Sequence, residues 1–392
     1  MAVNNLIIME KINEILLEYD LSRFGFLTEI PILRLGNKFL EWESLVGDLP
    51  FLNANRLLKS QISTLPEFPI NELKLPWHFK RAYVVLSIII NSYVFGDSNV
   101  EQMIPKKLAI PMQVVSTYLG INPILTHASV DLYNWYLVDP NGLFELDNLK
   151  STSLMTGTRD EERFYLTMVA IEGIGGNVIQ NILSMKLIHD DNDLENKISE
   201  FNNHLENIRK NIFAMIRTLK RIREKCDPVI FYNVLRPFLA GWENNDKLAN
   251  GMIYEGVSSE PQFYCGGSAA QSSLFQVIDA AFNIQHNDHY FVSIRNYMPL
   301  KHRQFIEYVE KNIHIDIMIQ KINNLATTNL FNECLESIKL FRMVHMNIVK
   351  DYIIRQIKVE NNDEIKGTGG TLLANFLGQS IKDTGDTITK KN

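Results

Sequence analysis

An all-α fold is predicted for this 392-residue chain from three features of its sequence. Phe201, Leu205, Ile208, Ile212, Met215, Leu219 and Ile222 recur at intervals of three and four, the apolar stripe of an amphipathic helix. From Lys301 to Lys366 there is no glycine or proline, the residues that most readily interrupt a helix. No stretch alternates strongly between apolar and polar residues as a half-buried strand does, and no segment repeats. With 46% hydrophobic and 21% charged residues, the chain can bury a large core without staples. Disordered, collagen-like and disulfide-scaffold classes are excluded.

The elements follow in order. Prolines at 31, 50, 66, 69, 76, 105, 111, 123 and 140 divide the first third into short helices. They surround the apolar run Ala82 to Phe95, which is too short to span a bilayer and reads as a buried core helix despite Ser87, Asn91 and Ser92. Asp147 to Glu162 reads as a linker whose acidic end suits a helix start. A long helix over Phe164 to Leu187 carries Gly173, Gly175 and Gly176, which allow close helix contact. The striped helix ends at Asp227-Pro228, which can start another. Ser272 to Phe282 and Leu330 to Ile357 are further helices. The second carries the stripe Cys334, Ile338, Phe341, His345, Ile348 or Val349, and Tyr352. Lys358 to Gly370 is polar and ends in glycines, and an apolar pattern resumes over Leu372 to Ile381. A tail that refolds after such a loop makes the loop a candidate lid.

The formal charge of −6 provides no global basic field, so neither nucleic acid nor an anionic membrane is expected as a partner. Cys226, Cys265 and Cys334 are widely spaced, odd in number and form no CxxC, which suits a reducing compartment. The amino terminus lacks the basic-then-apolar pattern of a signal peptide, and a cytoplasmic protein is expected.

Three features could carry chemistry. His345 interrupts the apolar stripe, with Arg342 three residues before it. Either its nitrogens are satisfied by carbonyls, or it is an axial ligand to haem iron, with the arginine facing a propionate. Cys265 to Ser273 (CGGSAAQSS) is either an ordinary N-cap with close packing or an anion-holding segment in which Ser268 takes part. Arg236 lies in the apolar segment Phe231 to Trp242 (FYNVLRPFLAGW). It must pair, either with a core carboxylate or with one the ligand brings, and Phe231 is in range to stack on an aromatic ligand. His286 and His289 read as a solvated turn, with metal binding as the alternative, and Glu172 as a buried acid satisfied by its neighbours, with a catalytic role as its alternative. No HExxH, dinucleotide fingerprint, P-loop or Ser-His-Asp pattern is present.

FYNVLRPFLAGW, GMIYEG (251–256), CGGSAAQSS, RNYMPLKHRQF (295–305), the RMVH helix and KGTGGT (366–371) together resemble the indoleamine 2,3-dioxygenases, in that family's order and spacing. PKKLAIP and NPILTHASVDLYNW in the first third are also similar, so the resemblance covers about residues 75–381. It implies a small N-terminal helical domain, 1–150, and a large helical domain, 151–392, that holds haem b and has a mobile loop at 358–371. The implied reaction is O2-dependent opening of the indole of L-tryptophan to N-formylkynurenine. An electron donor keeps the iron ferrous, and a monomer is expected. By this resemblance His345 is the proximal iron ligand, Arg342 the propionate-side arginine and Asp279 the acid supporting it. Arg236 takes the substrate carboxylate, and Phe231 and Phe164 are aromatics at the indole. Ser268 and Ala269 line the distal side, where Ser268 faces both cofactor and substrate, and Thr368 belongs to the closing loop.

Two positions depart from the mammalian pattern. His127 replaces a tyrosine near the distal pocket and reads first as a supporting residue, with a distal acid or base as the alternative. Met168 replaces a small serine at the substrate side and could narrow the pocket. The alternatives to tryptophan cleavage are a related haem enzyme acting on another indole or inserting one oxygen atom, and a non-catalytic haem-binding signalling protein.

Overall fold

The computed structural model has the predicted all-α fold; it describes residues 2–190, 195–286, 289–357, 366–370 and 372–388. In the first third the helices are α1 (Ala2–Glu18), α2 (Leu40–Ala54), α3 (Leu58–Thr64), α4 (Pro76–Phe95) and α5 (Lys106–Leu119). Then come α6 (Arg159–Asp190), α7 (Ile198–Lys220), the single turn α8 (Pro228–Ile230), α9 (Ser273–Ala281) and the single turn α10 (Tyr290–Ser293). The last are α11 (Leu300–Asn312), α12 (Ile315–Ile322), α13 (Leu325–Tyr352) and α14 (Leu373–Thr387). Five short strands accompany them. β1 (Met103–Ile104), β4 (Met252–Tyr254) and β5 (Ser258–Gln262) form one sheet, parallel between β1 and β4 and antiparallel between β4 and β5. β2 (Trp135–Leu137) and β3 (Leu149–Ser151) form an antiparallel pair. Strands this short carry too few residues for an alternating pattern to show.

One hydrophobic core runs through the helices of both halves of the chain. At its centre α4 is buried all round, with Val84, Leu86, Ile88 and Ile90 fully enclosed. A helix apolar on every side belongs inside, and its few polar residues must find partners there. Asn91 does so by donating to Phe238 O at 2.9 Å and Ala240 O at 3.2 Å, which ties α4 to the segment carrying Arg236.

The prolines cut less than the sequence suggests. Pro50 and Pro111 lie inside α2 and α5, and Pro111 is buried. Each removes one backbone hydrogen bond, a loss that packing has offset. The expected linker is likewise packed. Leu149 to Ser151 forms β3, Met155 is fully buried, and Glu161 accepts the Met155 and Thr156 amides at 2.7 Å each. These caps fix the start of α6, whose first turn also carries Asp160 and Glu162 near the positive end of the helix dipole.

α6 is long and apolar enough to cross a membrane by length and composition, but 72% of its apolar window is buried in the protein. Its glycines explain how. A Cβ on Gly175 would lie 2.2 Å from Leu274 Cδ2, so only glycine lets α9 approach this closely. The stripe of α7 is buried throughout, and α7 packs against α6 and α13. The run without glycine or proline is nevertheless divided into three helices. Asn323, at φ 45°, ends α12, and the Asn324 side chain caps α13 by accepting the Ala326 and Thr327 amides. Asparagine tolerates the left-handed region and caps well, so it replaces the usual breakers.

Candidate functional site

Asp227 caps the turn α8, accepting the Val229 and Ile230 amides at 2.8 and 3.2 Å, with Pro228 in the first helical position. The chain then winds irregularly, through a wide turn over Phe231–Leu235 and a tight one over Arg236–Leu239. The next residues lie directly against the Tyr264–Gly267 backbone. Trp242 N donates to Tyr264 O at 2.8 Å and Gly267 N to Leu239 O at 3.0 Å. A Cβ on Gly266 would sit 2.2 Å from Leu239 O, so this contact requires glycine.

Arg236 sits half-buried on this seam. One terminal nitrogen donates to Lys366 O at 3.1 Å, and the guanidinium lies 5.2 Å from the centre of the Tyr232 ring. Its Nε is buried with no partner, and no carboxylate pairs with it among the described residues. The core-carboxylate alternative is therefore not what the chain adopts. Burial pushes the Arg236 pKa down. A cation with one buried orphan donor in apolar surroundings is a ready carboxylate receptor.

Of the expected mobile loop 358–371, residues 358–365 and 371 lie outside the described residues. The remainder, 366–370, rests on the glycine segment. Gly266 N donates to Thr368 O at 2.9 Å, and Thr368 Oγ1 donates to Gly267 O at 2.5 Å. Tyr290 OH donates to Gly369 O at 3.1 Å. Ser268 is half-buried and caps the short turn Ala269–Gln271, while Ala269 is exposed. The N-cap reading of CGGSAAQSS is thus correct locally, and its backbone is also the platform for the loop.

Phe164 and Phe231 meet with ring centroids 4.8 Å apart, and Phe231 meets Tyr352 of α13 at 5.6 Å. Tyr352 and His345 are two turns apart on one face of α13. Met168, one turn beyond Phe164 on α6, is half-buried. Along the α13 stripe Cys334, Ile338, Phe341, Ile348, Val349 and Tyr352 are buried as predicted, and His345 is the exception, being only half-buried. It has no hydrogen-bond partner among the described residues, so the carbonyl-bonded alternative fails. Burial holds its pKa down to about 4, leaving a neutral imidazole with a free lone pair at neutral pH.

Beside it both terminal nitrogens of Arg342 are engaged. Its guanidinium donates to Asp279 Oδ1 and Oδ2 at 2.5 and 2.6 Å, to Ser380 O at 3.1 Å and to the Thr384 hydroxyl. His286 joins the same carboxylate, with Nε2 2.9 Å from Asp279 Oδ2 and Nδ1 2.7 Å from Asp383 Oδ2. Burial would raise the Asp279 pKa, but Arg342 and His286 outweigh it and hold it below the usual value. The expectation of a solvated turn at His286 is corrected: it joins α9 to α14, because two carboxylates from distant segments converge there. His289 is exposed.

His127 is buried between two carboxylates, with Nδ1 2.6 Å from Asp131 Oδ2 and Nε2 3.0 Å from Glu172 Oε1. Burial opposes a charge there, but Asp131 and Glu172 outweigh it and push the His127 pKa up to about 10. Glu172 is buried as the sequence suggests but only half satisfied: Oε1 also accepts from Ser272 Oγ at 2.6 Å, while Oε2 is buried without a partner.

These placements bring Arg236, Phe231, Phe164, Ser268 and Thr368 into one connected region, and Arg342 and Asp279 into another next to His345. Sequence reasoning missed Asn91, Gln271, Asp131, Asp383 and Tyr297, whose hydroxyl receives the Cys265 amide at 2.8 Å. Asn91 alone carried a signal, as a polar residue inside an apolar run. A 510 Å³ cavity lined by Arg223, Cys226, Asp227, Tyr352 and Arg355 includes neither His345 nor Arg236 and reaches this region only through Tyr352.

The donors fit a haem. Among the described residues no three His, Cys, Asp or Glu side chains converge as a metal site. A single unbonded imidazole can therefore hold a metal only if the metal brings its other ligands, as a porphyrin iron does. Arg342 lies one turn away as the matching cation.

Comparison with known proteins agrees with this geometry. The indoleamine 2,3-dioxygenase family matches residues 15–387. Indoleamine 2,3-dioxygenase 1 of Rattus norvegicus is 32% identical over 94% of this chain and 94% of its own length. Indoleamine 2,3-dioxygenase of Saccharomyces cerevisiae is 28% identical, covering 94% and 92%. Indoleamine 2,3-dioxygenase qulI of Penicillium citrinum is 33% identical, covering 93% and 87%. The match spans every segment that meets around Arg236 and His345, and the chain accordingly belongs to the indoleamine 2,3-dioxygenase family of haem-dependent dioxygenases.

Proposed function

We propose that the chain opens the indole C2–C3 bond of L-tryptophan with O2 to give N-formylkynurenine, using haem b. The observation that carries this reading is Arg236, a half-buried cation with an orphan buried donor and no acidic partner among the described residues, five residues after an aromatic that faces a second aromatic. An amino acid with an aromatic side chain offers both things this arrangement lacks: a carboxylate and a flat apolar surface.

His345 would hold the iron from one side, and Arg342, kept in place by Asp279, would face a propionate. Ser268 would line the cofactor and the substrate. When bound, haem supplies the activation of O2. The protein's part is placement. Arg236 receives the substrate carboxylate in a bidentate pair and fixes which end of the amino acid points inward. Phe231 and Phe164 hold the indole plane, Met168 narrows the space beside it, and Ala269 borders it. Thr368 and its glycines close over the site and exclude water. Effective positioning of this kind contributes several powers of ten to a rate. No side chain is required as a strong acid or base, and His127 is assigned a supporting role because both its ring nitrogens face carboxylates of the fold.

The same reading includes a division near residue 150, a monomer, a cytoplasmic setting and an external electron donor. Three free buried cysteines suit a reducing compartment. The test is turnover of reduced, haem-loaded protein with L-tryptophan and O2, read by mass spectrometry. N-formylkynurenine carrying both atoms of one O2 supports the reading. A product with one added oxygen atom, or tight haem binding without turnover of any indole, rejects it in favour of the monooxygenating or non-catalytic alternatives.

A further inference from the structure

Three ionisable groups not used by the proposed chemistry are buried together behind the glycine segment. His127 lies between Asp131 and Glu172, and all three are under 5% exposed. From this cluster two hydrogen-bonded paths lead to the same backbone. Ser272 Oγ donates to Glu172 Oε1 at 2.6 Å, and the His127 backbone amide donates to Gln271 Oε1 at 3.0 Å. Gln271 Nε2 then donates to Gly266 O at 2.9 Å. Gly266 N and Gly267 O in turn hold Thr368, and Lys366 O of the same loop is held by Arg236. The path is continuous from the buried cluster to the loop and to the half-buried arginine.

We propose that the Asp131–His127–Glu172 cluster is a positioning device that anchors the Gly266–Ser273 segment to α6 and so sets the platform on which the Thr368 loop closes over the substrate. Short glycine-rich backbone has no side chains to hold its place and is entropically costly to fix. An ion-paired group held on two sides by the fold gives this segment a rigid external reference. Glu172 is one turn from Met168 on α6. The anchor therefore fixes the loop platform relative to the helix that supplies Phe164 and Met168. His127 and Glu172 act through Ser272 and Gln271 and are positioning residues. The role of the loop at substrate rests on the proposed function; the anchoring does not.

The experiment is residue-resolved amide hydrogen exchange on haem-loaded protein without substrate, together with steady-state kinetics. Ser272→Ala and Glu172→Ala each cut the Ser272 path, Gln271→Ala cuts the other, and Glu172→Gln keeps an acceptor for Ser272. Exchange at Gly266, Gly267 and Gly367–Gly370 should rise about tenfold in the alanine variants, the scale of one lost hydrogen bond, with α7 and α13 unchanged. Glu172→Gln should stay near wild type. With L-tryptophan, KM should rise about tenfold while kcat changes less. If Glu172→Ala does not fold, Ser272→Ala and Gln271→Ala decide together, since both leave the ion cluster intact. Unchanged exchange at these glycines in folded Ser272→Ala and Gln271→Ala proteins overturns the proposal. Raised exchange in a protein that shows no turnover of L-tryptophan would retain the anchor and reject only the substrate.

Discussion

Arg342 is buried and Arg236 half-buried, both on apolar segments, and the fold treats them in opposite ways. Around Arg342, α9 supplies two carboxylate oxygens, and α14 a carbonyl and a hydroxyl. Around Arg236 the chain supplies one carbonyl and leaves Nε bare. Desolvating a guanidinium is expensive, so a fold pairs those it uses for itself. At Arg236 the unpaired Nε is the donor that the proposed function assigns to a substrate carboxylate. The contrast separates an arginine held by a carboxylate of the fold from one that, in the proposed function, is left to the substrate.

The comparison can be tested from its largest consequence downward. His345→Ala removes the one unbonded imidazole beside Arg342 and should abolish haem loading, read as the loss of the Soret absorbance after reconstitution. A normal five-coordinate spectrum in that variant would show that another residue holds the iron. Arg342→Ala leaves Asp279 buried with half its partners and should cost about 3–5 kcal/mol of stability by denaturant unfolding. Arg236→Ala should cost less than about 1 kcal/mol, because no internal partner is stranded, while raising KM for L-tryptophan about 100-fold. Indoles lacking a carboxylate should be unaffected by that change. Equal stability losses in the two arginine variants would erase the distinction.

A smaller effect concerns pH. Burial works against charge on His286, but Asp279 and Asp383 outweigh it and raise its pKa above 6.5. Its contribution to stability is therefore complete below pH 6.5 and is lost as pH rises through the raised value. His286→Gln should flatten the fall in melting temperature above neutrality, with no matching change at acidic pH. The smallest expected effect is at Met168. Met168→Ser should improve kcat/KM for bulkier indoles by about tenfold, the worth of a few methylenes in a pocket, without altering stability measurably.

Much was legible before the structure. The stripes of α7 and α13, the burial of α4 and the position of His345 on an apolar face all come from periodicity, which local sequence encodes directly. The breaks at Asn323 and the tolerance of Pro50 and Pro111 were not legible, because whether a helix continues there depends on caps and contacts supplied by distant residues. The tiny strands escaped for the same reason: a strand of two or three residues exists only through its partner.

The sequence by itself determined the helical class, the core faces and, by family resemblance, the residues worth watching. Only the tertiary structure decided what those residues are free to do. Among the described residues it left His345 without a hydrogen bond, paired Arg342 with a carboxylate and Arg236 with a lone carbonyl, turned His286 into a bridge and enclosed His127 between two acids. The physical reason is that periodicity is set by covalent geometry along the chain. Whether a buried polar group is satisfied depends instead on which remote atoms the packing brings within about 3 Å of it.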